Sequence, residues 1–93
     1  MVEITWTDYS DENCQDIFDF IAKDSFFYAN KQLERFIERV EILRNFPLAG
    51  KIVPEFEIDS VRELVEGNYR IIYEIISEHS IWIVAVHHSA MLL

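Results

Sequence analysis

Short turns divide the last third of the chain into strand-like segments, and this pattern constrains the fold more than any other feature of the sequence. Gly67-Asn68 is a tight-turn dipeptide between two apolar segments, as in a two-residue β-hairpin. A second turn is predicted at Glu78-His79. The predicted strands are Val61–Glu66, Tyr69–Ser77 and Ser80–His88. We therefore expect consecutive antiparallel strands in the second half of the chain.

The last of these strands is apolar on both of its faces. The segment Ile81–Val86 contains no polar side chain apart from the indole of its tryptophan. Such a strand fits an interior position in a sheet that is covered, at least in part, on both sides. The middle strand alternates instead, with Tyr69, Ile71, Tyr73 and Ile75 on one face.

The first half of the chain has helical periodicity after one short strand. Val2–Trp6 alternates apolar and polar residues, which is typical of a strand. Asp8 or Ser10 can then cap a first helix. The apolar positions of that helix recur at spacings of three and four: Cys14, Ile17, Phe18 and Ile21.

A second, longer helix is predicted directly after the first. Asp24-Ser25 is a typical helix start, and Pro47 and Gly50 end the helical pattern. The predicted buried face consists of Leu33, Phe36, Ile37, Val40, Leu43 and Phe46. With almost no linker between them, the two helices are expected to form an antiparallel hairpin.

The order of these elements predicts an α+β domain. After a brief extended piece at Lys51–Val53, the remaining strands complete the order β-α-α-β-β-β. Segregated helices and strands favour a helical hairpin packed on one face of a mainly antiparallel sheet. A chain of 93 residues supports one hydrophobic core, so residues 1–93 are expected to form a single domain.

Acidic residues dominate the charge. Seventeen Asp and Glu against eight Lys and Arg give a formal net charge of −9. Proteins that hold nucleic acid by its phosphates normally carry a basic patch, so the overall charge disfavours that class. No apolar run reaches the ~20 residues of a membrane span, and the first residues lack the bases of a targeting segment. The cytoplasm is the expected location.

No motif predicts a cofactor or a metal ion. Two glycines are too few for a glycine-rich phosphate loop. His79, His87 and His88 lack the spacing of a helical zinc motif. The single cysteine, Cys14, lies on the apolar stripe of the first helix, where a buried thiol is expected rather than a nucleophile.

Four short motifs follow one another in the second half of the chain. They are Pro47 with Gly50-Lys51 and Val53-Pro54-Glu55, then Arg62-Glu63-Leu64, then Tyr69-Arg70-Ile71 with Tyr73, and finally Val86-His87-His88-Ser89-Ala90. With the strand ending at Trp6 and the helix start at Asp24-Ser25, this order resembles the RelE/ParE superfamily, the toxins of type II toxin–antitoxin modules. The resemblance covers nearly the whole chain. It implies a growth-inhibiting toxin, of the plasmid-stabilisation type, that a cognate antitoxin neutralises in a hetero-oligomeric complex.

The resemblance leaves two activities open. ParE-like members inhibit DNA gyrase, a protein target, and need no ribonuclease centre. RelE-like members resemble ribosome-dependent endoribonucleases that cleave mRNA. A net charge of −9 opposes an approach to the phosphates of the ribosome and mRNA, which favours the ParE-like activity. On that reading the chain is no enzyme; on the RelE-like reading it is an endoribonuclease.

The residues that could carry RelE-like cleavage are Arg70, His87, His88 and Arg62. Arg70 would stabilise the phosphorane and Arg62 would assist phosphate binding, while a histidine would act as acid or base near pH 7. Adjacent strand residues point to opposite faces, so at most one histidine shares a face with Arg70.

The candidate residues also have structural alternatives. Arg70 could pair with Glu63 diagonally across the hairpin or with Glu74 along its own strand. Arg62 could form an ion pair with Glu66 on the same face. A histidine at the end of a strand could simply hydrogen-bond to the backbone.

The C-terminal segment departs from the family pattern at one position. Many relatives carry an arginine three residues after a histidine at the end of the last strand, and counted from His88 that position is Met91. Either this branch does not use the arginine, or the arginine was replaced so that the toxin can be produced without its antitoxin. A third reading is an inactive toxin homologue that only binds antitoxin.

Aromatic residues around the start of the second helix are the candidates for antitoxin binding. The resemblance implies an antitoxin segment that folds on the toxin as an amphipathic helix or as an added strand. Phe20, Phe26 and Phe27 are the predicted contacts, with ordinary core packing as the alternative. Phe20 lies off the apolar stripe of the first helix and is expected to be exposed. Because the toxin is acidic, its antitoxin segment is expected to carry more Lys and Arg than is typical.

Overall fold

The computed structural model describes residues 1–90 and contains the predicted elements together with one short edge strand. The elements are β1 (Glu3–Trp6), α1 (Asp8–Ala22), α2 (Phe26–Glu41), a 3₁₀ turn (Ile42–Arg44), β2 (Lys51–Ile52), β3 (Val61–Glu66), β4 (Tyr69–Ser77) and β5 (Ser80–His88). The three predicted C-terminal strands are confirmed with their predicted bounds.

The five strands form one sheet in the order β1-β5-β4-β3-β2. The strands β2 to β5 are antiparallel neighbours, whereas β1 runs parallel to β5, with Glu3 opposite Ser80 and Trp6 opposite Ile83. The sheet is therefore mixed, and β5 is an interior strand, as its apolar faces predicted. Because β1 has four residues and β5 has nine, the second half of β5 has a strand on one side only.

The two helices pack against each other and against one face of the sheet, with α1 on β5 and α2 on β3. We call this the helix face. The buried core between them consists of Val2, Phe36, Val40, Leu43, Leu64, Ile71, Tyr73, Ile81, Ile83 and Val86. On the opposite face, Val53 packs on Ile72 and Ala85 in a smaller cluster. We call that the loop face, because the loop that begins at Val53 lies against it.

The two helices begin at caps that are only partly as predicted. Neither Asp8 nor Ser10 caps α1: the cap is Thr7, whose extended backbone lets its Oγ1 accept the N–H of Ser10 at 3.2 Å. The prediction was wrong because β1 ends at Trp6 and the helix begins two residues later. Ser25 caps α2 as predicted, since its Oγ accepts the N–H of Tyr28 at 3.1 Å.

Two residues of the predicted buried face of α2 are exposed. Ile37 is 57% exposed and Phe46 is 63% exposed. The helix ends at Glu41 and the chain continues as a 3₁₀ turn, which changes the angular spacing so that Phe46 leaves the buried stripe. The buried stripe of α2 is narrower than predicted: it includes Phe36 and Val40, and Ile37 lies beside it.

Candidate functional site

Arg70 lies on the loop face, buried between two carboxylates. From β4 its side chain reaches diagonally to Glu63 on β3, where Nε donates to Oε2 at 2.8 Å. Its Nη1 and Nη2 donate to the two carboxylate oxygens of Glu55 at 2.8 and 2.9 Å. The hydrogen bonds to Glu55, and those to Glu63, raise the pKa of the guanidinium despite its burial. We call Arg70, Glu63 and Glu55 the ion cluster; it ties the loop to the sheet.

Tyr73 and Gly50 make a second attachment between this loop region and the sheet. The hydroxyl of Tyr73 donates to the C=O of Pro47 at 2.8 Å and accepts the N–H of Gly50 at 2.9 Å. A Cβ at position 50 would lie 2.6 Å from the Tyr73 ring and from the C=O of Glu63. Only glycine at position 50 therefore lets the backbone come this close to the Tyr73 ring. Burial also raises the pKa of the Tyr73 phenol.

Arg62 also binds the backbone of the loop region. Its Nη1 donates to the C=O of Gly50 at 2.9 Å, and its Nε donates to the C=O of Asp59 at 3.0 Å. The proposed ion pair with Glu66 is not among the contacts of Arg62 within residues 1–90. Because Arg62 lies opposite Tyr73 in the β3–β4 pairing, its side chain projects to the face away from Arg70.

The two histidines at the end of β5 lie on different faces. His87 is the cross-strand partner of Arg70, and its ring contacts that of Tyr9 with centroids 6.0 Å apart. Burial, and then the positive charge of Arg70, lower the pKa of His87. His88 contacts Tyr69 on the helix face at 5.8 Å. The four residues predicted for RelE-like cleavage are therefore divided between the two faces: Arg70 and His87 project to the loop face, and Arg62 and His88 to the helix face.

Position 91 lies outside the described residues. The role of Met91 as the replacement for the family arginine stays a prediction from the sequence. The last described contact near it is the hydrogen bond from the N–H of Ala90 to Nδ1 of His88, at 3.2 Å.

A cluster of exposed rings covers the end of the helical hairpin. We call it the aromatic crest; it consists of Phe20, Phe26, Phe27 and Tyr28, each 62–70% exposed. Residues 26–28 occupy the first turn of α2, where successive side chains are about 100° apart, so they cannot all face the core. Phe27 contacts Tyr28, with ring centroids 5.3 Å apart. Lys31 and Lys23 lie 5.6 and 5.7 Å from the ring centroids of Phe27 and Phe20. The exposure of Phe20 was predicted from the sequence. The other three rings are also exposed, so the alternative that they pack in the core is wrong.

A shallow apolar groove lies between the two helices beside the end of β1. Its volume is about 240 Å³, and it is lined by Trp6, Asp11, Cys14, Leu33, Phe36 and Ile37. Burial, and then the charge of Asp11, raise the pKa of Cys14 to about 11. The thiol is therefore protonated at neutral pH and is a poor nucleophile.

Residues 1–90 contain no group of three or more His, Cys, Asp or Glu side chains arranged to hold a metal ion. Within the same part of the chain, no helix is long and apolar enough to cross a membrane.

Comparisons with known proteins agree with this architecture. The model of the family described as the ParE toxin of the type II toxin–antitoxin system parDE matches residues 4–93. The chain is also similar to a solved structure described as a chromosomal ParDE TA system from P. aeruginosa, with 20% identity and a TM-score of 0.76 over 95% of this chain and 96% of that one. At this identity the structural match supports the fold alone. No curated protein matches the chain.

Proposed function

The chain belongs to the ParE toxin family of type II toxin–antitoxin systems, and we propose from this that it inhibits growth by acting on DNA gyrase and is neutralised by a cognate antitoxin. The observation that carries the proposal is the family match over residues 4–93. A protein target is also compatible with a net charge of −9, whereas an RNA target would meet long-range repulsion.

The surroundings of Arg70 support a binding function over a ribonuclease function. A catalytic cation must face the phosphorane, but this guanidinium donates to Glu63 and Glu55. A scissile phosphate at this position would meet two carboxylates as well as the arginine. The RelE-like endoribonuclease, with Arg70, His87, His88 and Arg62 as its candidates, remains the alternative prediction that the experiments below separate.

The aromatic crest is the proposed contact for the antitoxin. Aromatic side chains are enriched among the residues that dominate binding energy at protein interfaces. Phe20, Phe26 and Phe27 are exposed rings in this crest. An antitoxin segment that covers them removes apolar area from water, which gives the complex a driving force.

Purified components test the choice of target. The toxin is incubated with DNA gyrase, relaxed plasmid and ATP, and supercoiling and double-strand cleavage are followed on gels. We expect loss of supercoiling or accumulation of cleaved DNA, and protection when the antitoxin is added first. Unimpaired gyrase together with codon-dependent cleavage of mRNA on purified ribosomes would overturn the gyrase proposal and establish the RelE-like alternative.

Induction in cells tests whether position 91 disables the toxin. The parent and Met91→Arg are induced without antitoxin, and DNA and protein synthesis are followed by pulse labelling. An early stop in DNA synthesis by Met91→Arg alone would identify Met91 as the disabling residue. Equal toxicity of the two forms means that this chain does not need the arginine. If both are harmless but bind antitoxin, the chain is the inactive antitoxin-binding homologue.

A further inference from the structure

Residues 54–60 form a loop between β2 and β3 that is fixed to the sheet at both of its ends. We call it the tethered loop. Val53, directly before it, is fully buried on the loop face, and its C=O accepts the N–H groups of two loop residues at 3.1 and 3.0 Å. At the other end, the C=O of Ser60 accepts the N–H of Ile75 on β4 at 2.8 Å.

Two arginines of the β3–β4 hairpin also bind the tethered loop. Arg70 donates from Nη1 and Nη2 to the two carboxylate oxygens of Glu55, at 2.8 and 2.9 Å. Such a bidentate pair fixes the orientation of the carboxylate as well as its position. Arg62 donates from Nε to the C=O of Asp59 at 3.0 Å. The loop is therefore held in one conformation by the sheet beneath it.

The backbone of the tethered loop is strained at Glu57. Its φ is +52°, and it is the one residue other than glycine with a positive φ within residues 1–90. Such a conformation is uncommon for a residue with a side chain. It persists only where the surrounding structure imposes it, and it is concentrated at functional sites. Here the surrounding hydrogen bonds impose it.

This rigid loop presents apolar side chains to water. Phe56 is 46% exposed and Ile58 is 51% exposed. Glu57 and Asp59 alternate with them and are also exposed, and within residues 1–90 neither of these acids forms an ion pair. Binding residues are often placed on loops that a rigid scaffold positions, and a loop fixed in advance loses less conformational entropy on association.

Charge identifies the partner that this loop fits. An enzyme that holds DNA by its phosphates carries Lys and Arg along the path of the DNA, and DNA gyrase is such an enzyme. A toxin with a net charge of −9 is attracted to that surface. The unpaired carboxylates of Glu57 and Asp59 complement it locally, and the apolar side chains between and beside them supply area to bury.

We propose that the tethered loop is the contact of the toxin with DNA gyrase, an inference that rests on the proposed function. Phe56 and Ile58 enter an apolar pocket of gyrase beside the DNA path, and Glu57 and Asp59 pair with the bases around it. The loop lies on the face of the sheet opposite to the two helices. Gyrase therefore binds a different side of the toxin from the aromatic crest.

The first test removes the apolar side chains. The double variant Phe56→Ser with Ile58→Ser is compared with the parent for inhibition of supercoiling by purified gyrase. We expect about tenfold or more toxin to be needed for half inhibition, with antitoxin affinity within about twofold of the parent. The matched control is Phe27→Ser with Ile37→Ser, two exposed positions on α2. It should inhibit gyrase within about twofold of the parent. Circular dichroism checks that both double variants fold.

The second test separates the local charges of the loop from the overall charge. Glu57→Lys with Asp59→Lys changes the net charge from −9 to −5, since each substitution adds two positive charges. The control, Glu12→Lys with Glu38→Lys at two exposed helical positions, makes the same change. We expect the loop variant to inhibit gyrase about tenfold or more weakly. The control should lose no more than about threefold, because it weakens only long-range attraction.

The outcomes separate this inference from the proposed function. If the parent inhibits gyrase and both loop variants inhibit it equally well, the loop contact is refuted and gyrase remains the target. Equal losses in the loop variants and their controls refute a contact confined to the loop. Loss of antitoxin affinity without loss of inhibition shows that the loop binds the antitoxin instead, which also overturns the inference. An effect of the serine substitutions without one of charge reversal refutes the basic surface. If the parent itself fails to inhibit gyrase, the proposed function is refuted, and this inference with it.

Discussion

The loop face of the sheet buries charged side chains, whereas the aromatic crest exposes apolar ones. In the ion cluster, charged groups are buried and paired: the side chains of Arg70 and Glu63 are 10% and 4% exposed and hydrogen-bond to each other. In the crest, apolar rings such as Phe27 stand in water. Buried paired charges hold a structure together only while both partners are present, whereas exposed rings add little to folding. The difference separates residues that maintain the fold from residues that serve a partner.

The strongest way to test this separation is to remove the cation of the ion cluster. Arg70→Met is expected to lower the free energy of unfolding by about 3 kcal/mol, because the buried carboxylate of Glu63 loses its hydrogen-bonded partner and keeps the exposed Lys51, whose Nζ lies 3.5 Å from its Oε1. Urea denaturation measures the loss. Arg35→Met, an exposed change on α2, should stay within about 0.5 kcal/mol of the parent.

A double variant distinguishes the unpaired charge from lost packing. Arg70→Met combined with Glu63→Leu leaves no buried charge at this position, so part of the lost stability should return. If the double variant is no more stable than Arg70→Met, the cost lies in packing and the ion cluster has a smaller role than argued.

Gly50→Ala is expected to have the next largest effect on stability. The added Cβ would lie 2.6 Å from Tyr73 and from the backbone of Glu63, and overpacking of this kind costs about 1–3 kcal/mol. Thermal or urea unfolding measures it. Gly67→Asn is the control: Gly67 has φ +59° and nothing near its missing Cβ, and Asn tolerates that conformation. Equal losses in the two variants would contradict the close-approach argument.

A substitution in the crest should weaken antitoxin binding and leave the stability of the free toxin nearly unchanged. Phe27→Ser is expected to change the stability of the free toxin by no more than about 0.5 kcal/mol, because the ring is 62% exposed. It should weaken antitoxin binding by about 1–2 kcal/mol, roughly 5- to 30-fold. Calorimetry measures the affinity, with Ile76→Ser at the far end of β4 as the control. A stability loss like that of Gly50→Ala would remove the distinction between the two regions.

The smallest expected effect is a pH dependence that His87 imposes next to the ion cluster. Burial and the charge of Arg70 lower its pKa in the folded state, so the unfolded chain binds the proton more tightly. Stability is then complete above the unfolded pKa of about 6.5. It falls as the pH drops from there towards the folded pKa. His87→Asn should flatten this part of the stability profile measured by urea unfolding from pH 5 to 8; an unchanged slope would refute the assignment.

The strands and the helix start at Ser25 could be predicted from the sequence, because short-range signals determine them. The dipeptide Gly67-Asn68 set the bounds of β3 and β4, and Ser25 followed from its capping chemistry. The pair between Arg70 and Glu63 was one of the predicted alternatives, since diagonal neighbours in a hairpin follow from register.

Contacts that depend on an irregular loop could not be predicted. Glu55 precedes β3 in a segment with no periodicity, so nothing in the sequence places its carboxylate beside Arg70. The same holds for Arg62, whose partners are backbone carbonyls rather than Glu66.

The parallel pairing of β1 with β5 determines how much of the chain must be synthesised before the sheet can be completed. Glu3 pairs with Ser80, so the first strand must wait for 77 further residues before its sheet partner is made. At roughly 5–20 residues per second this delay is about 4–15 s, during which the helices and hairpins can form without closing the sheet. Translation therefore separates the local folding of each part from the appearance of a complete toxin, and an antitoxin already in the cell has that interval in which to meet the emerging chain.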